Sequence, residues 1–493
     1  MIALVAVACG ERGATSPKVA VVPVGDAGGA PLMAAPPERP CGGIAKELER
    51  LRSKLRIEAY VTRGTPALDR FANDLVARLG RYREAAGGKV EVAVFESGDE
   101  AVKSRARAIG LQELDFATDP DAEPRKGFLG LAFSYENEKD AMKALSPERE
   151  GLDFWIISKI RELRERAEGV HHDIGVLTGH GEPALDAPSL VSGQPVSMQG
   201  VVTQHFPTVR FSKVDLHGGA DAVPPSLEGL ILLQPARDLS DAELARIDAF
   251  VMRGKALAVF ASAVNVDVAS KAKLDRHRLD RLLSGYGIEL HEDLVLDYGQ
   301  SYAAQAFTQT GPHRLVFPQI LDVQEEGRRL DPTAIPFFRL PQVLFPYVSS
   351  VTVSPEKPPG ATLAIVARST ARANVERGPT HDLSLTNHFA AREPFVEVGL
   401  AATAVGRLRS AFGGAAGQAP AKVFLLAASS FLANPFVVPA SAPDAETRGA
   451  ISGAYAQVGL TQTILAFKNT LDWMSGDDDL AACSAEVAPK KVP

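Results

Sequence analysis

The sequence has little cysteine. Cys9, Cys41 and Cys483 are its only three, and none falls between positions 41 and 483. A thiol nucleophile or cysteine-ligated zinc centre in the body of the chain is therefore excluded. Long apolar runs are also missing, since none reaches the ~18–20 consecutive residues of a membrane-spanning helix. Positive charge is not in excess: 53 Lys and Arg stand against 60 Asp and Glu, for a net charge of −7. That balance argues against nucleic acid or an anionic membrane surface as the main partner. Several catalytic signatures are absent too. Without a Gly-x-x-x-x-Gly-Lys-Ser/Thr phosphate loop the chain does not itself hydrolyse ATP, and it has neither a Gly-x-Ser-x-Gly elbow nor a His-Glu-x-x-His pair. No cofactor and no metal is expected.

What is present is the composition of a soluble globular protein, 45% apolar and 23% charged, and 493 residues suffice for two or three domains. The start, Met1-Ile2-Ala3-Leu4-Val5-Ala6-Val7-Ala8-Cys9, reads as a short apolar segment ending in small residues. It resembles a lipoprotein signal cleaved before Cys9, which would then be lipidated. The competing reading is a clipped signal or a truncated membrane helix. Both place the chain outside the cytoplasm, in the periplasm or cell envelope, anchored to or associated with a membrane. Residues 1–43, rich in Gly, Ala and Pro, read as this start plus a tether, 411–420 as an internal linker, and 481–493 as a tail.

Two blocks lie between. In residues 44–168, Leu55 to Val61 alternates as a strand, Ala67 to Tyr82 has helical spacing, and Gly87-Gly88 turns the chain into a strand from Val90 to Phe95. This is a small βαβ-containing domain of thioredoxin-like size, and without a Cys-x-x-Cys pair it has no redox role. Residues 169–480 alternate strands and helices: His172–Thr178, Val209–Leu216, Leu227–Leu233, a capping box at Ser240-Asp241-Ala242-Glu243, then the fully apolar strand Ala256–Phe260. That rhythm predicts a mostly parallel, doubly wound sheet, with 298–350 as an insertion and Lys422–Ala427 as a late strand.

The strongest binding candidate is Thr178-Gly179-His180-Gly181-Glu182, because open α/β sheets bind ligands beyond the carboxyl ends of their strands. Its competitor is a tight turn with His180 and Glu182 solvated or capping the next element. His171, His172, His180 and Glu182 are close in sequence, but adjacent strand residues face opposite ways, so they do not make a metal set. Asp477-Asp478-Asp479 reads as solvated acids rather than a calcium site. Cys41 and Cys483 could pair if the chain ends meet.

Four segments together resemble the gliding-motility-associated ABC-transporter auxiliary family (GldG-like, "ABC-type uncharacterized transport system"). They are Leu55–Val61 with Gly87-Gly88-Lys89-Val90-Glu91-Val92; Ile174-Gly175-Val176-Leu177-Thr178-Gly179-His180-Gly181-Glu182; Leu239 to Lys255 with Gly285-Tyr286-Gly287-Ile288 and Asp293-Leu294-Val295-Leu296-Asp297; and Phe431-Leu432-Ala433-Asn434 with Asn469 to Asp478. The resemblance implies a glutamine-amidotransferase-like α/β domain outside the cytoplasm, beside an ABC-2-type permease and its ATPase subunit. Family members carry a membrane helix at one or both ends, which this sequence does not display. Where the family tends to have Gly-Asp-Ser and a further Asp, this chain has Ala427-Ala428-Ser429-Ser430. The expected function is non-catalytic binding of protein or an envelope ligand. The alternatives are a solute-binding lipoprotein and a degenerate hydrolase of amidotransferase-like fold.

Overall fold

The computed structural model describes residues 22–23, 42–117, 125–145, 152–187, 189–191, 194–267, 269–308, 311–338, 340–384, 387–413, 417–433, 455 and 459–476. Cys9, Cys41, Cys483, Asp477-Asp478-Asp479, most of the expected tether and the expected tail lie outside these residues. The chain divides into two compact units, the second being His172–Gly476.

In the first unit, α1 (Gly42–Arg50) leads into β1 (Leu55–Val61), α2 (Pro66–Ala85), β2 (Val90–Glu96), α3 (Glu100–Ala108), β3 (Gly130–Tyr135), β4 (Glu138–Met142) and α4 (Leu152–Glu168). The four-stranded sheet has the order β2-β1-β3-β4. β1 and β2 pair in parallel, while β1–β3 and β3–β4 are antiparallel. α2 starts where Thr65 accepts the Leu68 amide and Pro66 pre-sets the first turn. Its apolar stripe, Leu68, Phe71, Leu75 and Leu79, is buried, as the spacing predicts.

The second unit is built on a nine-stranded mixed sheet. Its elements begin with β5 (His172–Thr178), α5 (Met198–His205), β6 (Val209–Asp215), β7 (Gly229–Leu233), α6 (Asp241–Val251) and β8 (Ala256–Phe260). Next come β9 (Val264–Val266), β10 (Lys271–Leu274), α7 (Leu279–Gly285), β11 (Ile288–Leu290) and β12 (Leu294–Asp297). β13 (Ser301–Thr308), β14 (Gly311–Gln324) and β15 (Gln342–Pro346) form a separate antiparallel sheet within the segment expected to be an insertion. β16 (Val351–Val353), β17 (Ala361–Arg368), β18 (Ala373–Glu376), β19 (Gly399–Gly406), β20 (Ala421–Leu426) and α8 (Leu460–Ser475) follow, and the short strands Ser189–Val191, Gln194–Val196 and Thr380–Asp382 lie outside the large sheet.

Across the large sheet the order is β6-β5-β7-β8-β20-β19-β16-β11, with β17 also on β19. The first five strands are parallel. From β20 outward every pairing is antiparallel, so the sheet is doubly wound over one half only. A parallel partner needs a long crossover, usually a helix. No helix lies among the described residues joining β19 to β20, so the chain turns straight back.

α8 covers one face of the parallel half. Phe467 packs on Phe211 of β6 and Phe260 of β8, with ring centroids 6.2 and 5.8 Å apart, and Trp473 meets Phe424 of β20 at 6.2 Å. Gly229 on β7 is required by this approach, because a Cβ there would lie 2.4 Å from the Met474 methyl. On α6, Asp248 is 4% exposed and accepts from Tyr286 Oη (3.0 Å), Ser410 Oγ (2.6 Å) and the Ala411 amide (3.0 Å). This anchorage changes the reading of 411–420. Ala411 is small because it abuts Gly285, where a Cβ would come within 2.4 Å of it, and Gly417 and Gln418 donate to the Leu408 and Met252 carbonyls. On both sides of 414–416 the segment is packed.

Candidate functional site

Numbered along the chain, the five parallel strands run 2-1-3-4-5, so the order reverses between β5 and β7. Connections leave these two strands in opposite directions, which opens a crevice at their carboxyl ends. The loops lining it are Gly179-His180-Gly181-Glu182 after β5 and Gln234-Pro235-Ala236-Arg237-Asp238 after β7. Gly179 (φ 115°) and Gly181 (φ 82°) adopt left-handed conformations that side-chain-bearing residues rarely hold. They fold the first loop back on itself, so that the Glu182 carboxylate accepts the His180 amide at 2.8 Å.

The two loops fasten to each other. The Ala236 amide donates to the His180 carbonyl (2.9 Å) and Arg237 Nη2 to the Gly179 carbonyl (2.6 Å). His180 turns inward and is 6% exposed. Its Nδ1 lies 3.0 Å from Glu182 Oε1 and its Nε2 3.1 Å from Glu243 Oε1. An acceptor on each ring nitrogen is the pattern a doubly protonated imidazole satisfies. Glu243 is the third helical residue of the expected capping box. Its Oε2 accepts the Ser240 amide and hydroxyl at 2.8 and 2.7 Å, and its Oε1 the Gly218 amide at 3.1 Å. Burial pushes the Glu243 carboxyl up, but the Ser240 bonds and the His180 ring more than offset it and hold its pKa below the ordinary value.

The predicted lip thus separates into two parts. Gly179 and Gly181 are exposed and Thr178 is half-buried, its Oγ1 3.2 Å from the Val214 carbonyl. His180 and Glu182 are internal struts. His172 stands at the opposite end of β5, where its Nδ1 faces Glu228 Oε2 at 2.8 Å, so His172 and His180 are not brought together.

A second constellation along the same edge was not legible in the sequence. Asp238 follows β7, while Asp275 and His277 follow β10. His277 Nδ1 is 3.0 Å from Asp238 Oδ1 and 3.7 Å from Asp275 Oδ1. Its Nε2 is 3.0 Å from Asn265 Oδ1, which also accepts Gln234 Nε2 at 2.8 Å. The Asp-Arg-His triplet was the only local signal, and Asp238 lies 39 residues before His277. At the end of β20, Ser429 is 8% exposed and its hydroxyl has no hydrogen-bond partner among the described residues.

The fold and this edge define a mixed α/β protein whose strand-end loops are held mainly by one another. Residues 171–455, more than half of the chain, match the family described as "ABC-type uncharacterized transport system". The chain belongs to that family and is an auxiliary component of an ABC-type transport system. No curated protein matches it significantly. Among solved structures, the mmIFT52 N-terminal domain aligns at 11% identity over 62% of this chain and 98% of that chain, with a TM-score of 0.32. The Exo-beta-1,4-mannosidase Op5Man5 from Opitutaceae bacterium strain TAV5 aligns at 15% identity over 80% and 50%, with a TM-score of 0.21. Scores this low bear on neither fold nor function. No helix among the described residues is long and apolar enough to cross a membrane.

Proposed function

We propose that this chain is a non-catalytic, extracytoplasmic auxiliary subunit of an ABC-2-type transporter of the gliding-motility kind, acting by binding its permease and ATPase partners or an envelope ligand. The carrying observation is the self-fastened switch-point crevice. There Arg237 is bonded to Gly179, and His180 is held between Glu182 and Glu243. An enzyme of this fold keeps a reactive group free at that position; here the side chains are committed to each other, and the exposed Gly179 and Gly181 backbone offers contact surface instead. Connectivity supports the finer fold reading. Within the first unit, which also holds α1 and the short strands Leu114–Ala117 and Arg125–Gly127, the elements β1-α2-β2-α3-β3-β4-α4 with sheet order β2-β1-β3-β4 suit a thioredoxin-like core without the Cys-x-x-Cys pair. The parallel half of the second unit suits an amidotransferase-like module without the nucleophile.

The test is co-expression of the tagged chain with an ABC ATPase and an ABC-2-type permease from the same genome, followed by detergent solubilisation of membranes. Co-purification of all three, and digestion of the chain by protease added outside spheroplasts, are the expected results. A chain recovered alone from the cytoplasmic fraction would overturn the reading.

A further inference from the structure

The geometry points to a divalent transition-metal site formed by Asp238, Asp275 and His277 at the carboxyl edge of the parallel strands. The orientation of the His277 ring is set by side chains away from the three ligands. The Ser262 amide donates to Gln234 Oε1 (2.8 Å), which fixes that side chain with its Nε2 toward Asn265 Oδ1 (2.8 Å). Asn265 is fixed in turn, because its Nδ2 donates to the Ala263 and Asp275 carbonyls at 3.0 and 2.8 Å. Flipping either amide would set like groups against each other. Asn265 Oδ1 is therefore an acceptor, and His277 Nε2, 3.0 Å away, must carry a hydrogen to donate to it.

With Nε2–H committed to Asn265, Nδ1 faces two carboxylates, and a metal ion on its lone pair satisfies the 3.0 Å approach to Asp238 as a second ring proton would. One ligand atom from each of the three residues lies within 4.8 Å of the others. Atoms bound side by side to one metal through bonds of ~2.0–2.1 Å are about 3.0–3.4 Å apart, so the 3.0 Å between His277 Nδ1 and Asp238 Oδ1 already has that spacing. A hydrogen-bond acceptor holding the far ring N–H of a ligating histidine is a recurrent support of metal sites, and the Asn265 oxygen fills that role here.

The neighbouring guanidinium groups are engaged elsewhere. Arg278 and Arg281 pair with Asp241, and Arg276 with Asp280 and Glu292. Lys273 reaches Asp275 only at 3.6 Å, with its side chain 72% exposed. One imidazole with two carboxylates selects Mn²⁺, Zn²⁺ or a similar ion over Ca²⁺, which prefers oxygen alone. The Asp238 side chain is 60% exposed, so the remaining coordination positions face water. A bound ion would tie the loop after β7 to the turn after β10.

The full chain, stripped with chelator, is titrated with Mn²⁺ by calorimetry and by loss of the free-ion electron spin resonance signal, then with Zn²⁺ and Ca²⁺. One equivalent of Mn²⁺ or Zn²⁺ is expected, with Ca²⁺ at least tenfold weaker. D238N, at an exposed position that leaves folding intact, and H277Q should each lower affinity tenfold or more. Substoichiometric binding, or wild-type affinity in D238N, would overturn the site and show Asp238–His277 to be an ion pair with a doubly protonated ring. Because the readout is cation binding by the isolated chain, either result leaves the transport reading standing.

Discussion

Replacing His180 with alanine separates a strut from a binding lip. In the wild type the ring joins Glu182 on its own loop to Glu243 at the start of α6, with the three side chains 8%, 3% and 7% exposed. His180→Ala removes both contacts and leaves two buried carboxylates facing a void. Breaking a buried charged pair costs about 3–5 kcal/mol, and these contacts are charge-assisted on both sides. Near its transition a domain of this size loses about 2–4 °C per kcal/mol, so the larger unit should melt roughly 6–20 °C lower. Differential scanning calorimetry reads that transition directly. A double-mutant cycle with Glu182→Ala should give a coupling above about 1.5 kcal/mol, since the two side chains touch. If His180→Ala melts within about 2 °C of wild type, the ring is not a strut and the case for a self-fastened crevice fails.

Asp248→Ala strands three donors, from Tyr286, Ser410 and Ala411, and should cost about 3–5 kcal/mol in denaturant titrations; Asp248→Asn, which keeps an acceptor, should cost less. An equal cost for the two would mean that volume rather than hydrogen bonding sets the penalty. Burial pushes the Tyr302 hydroxyl up to about 12. A folded pKa above the ordinary ~10 gives stability that is complete below pH 10 and lost as pH rises toward 12, up to about 2.7 kcal/mol. Urea midpoints measured from pH 9 to 12 should therefore fall less steeply in Tyr302→Phe; parallel curves would refute this.

What the sequence made legible was local. The strand His172–Thr178 emerges with those bounds because the apolar stretch Ile174 to Leu177 lies between Gly169 and Gly179, and Ser240 with Glu243 forms the capping box its spacing predicts. β19 was missed, since Gly399-Leu-Ala-Ala-Thr-Ala-Val-Gly406 is built of small residues with little alternation. Nor could a local pattern reveal that β19 runs antiparallel to β20, because direction is settled by what connects strands. The Gly/Ala composition of 411–420 suggested an unpacked linker, whereas Ala411 is small for a contact with Gly285. The site divides the same way. Thr178 to Glu182 were visible as a loop after a strand, but the inward turn of His180 depends on Glu243, and the Asp238–His277 pairing on segments far apart in the chain.

The placement of β20 and α8 sets a schedule for the nascent chain. β8 is complete at Phe260, yet the strand that pairs beside it begins at Ala421 and the helix covering it at Leu460. At 5–20 residues per second, the ribosome leaves the apolar strands β7 and β8 without this edge partner and this cover for on the order of ten seconds. Every side chain of those two strands is buried in the finished unit, so the waiting segment is sticky and without its final partners. A holding chaperone, or a slow passage that keeps the chain extended, would protect it, and truncation before Leu460 would leave that surface permanently uncovered.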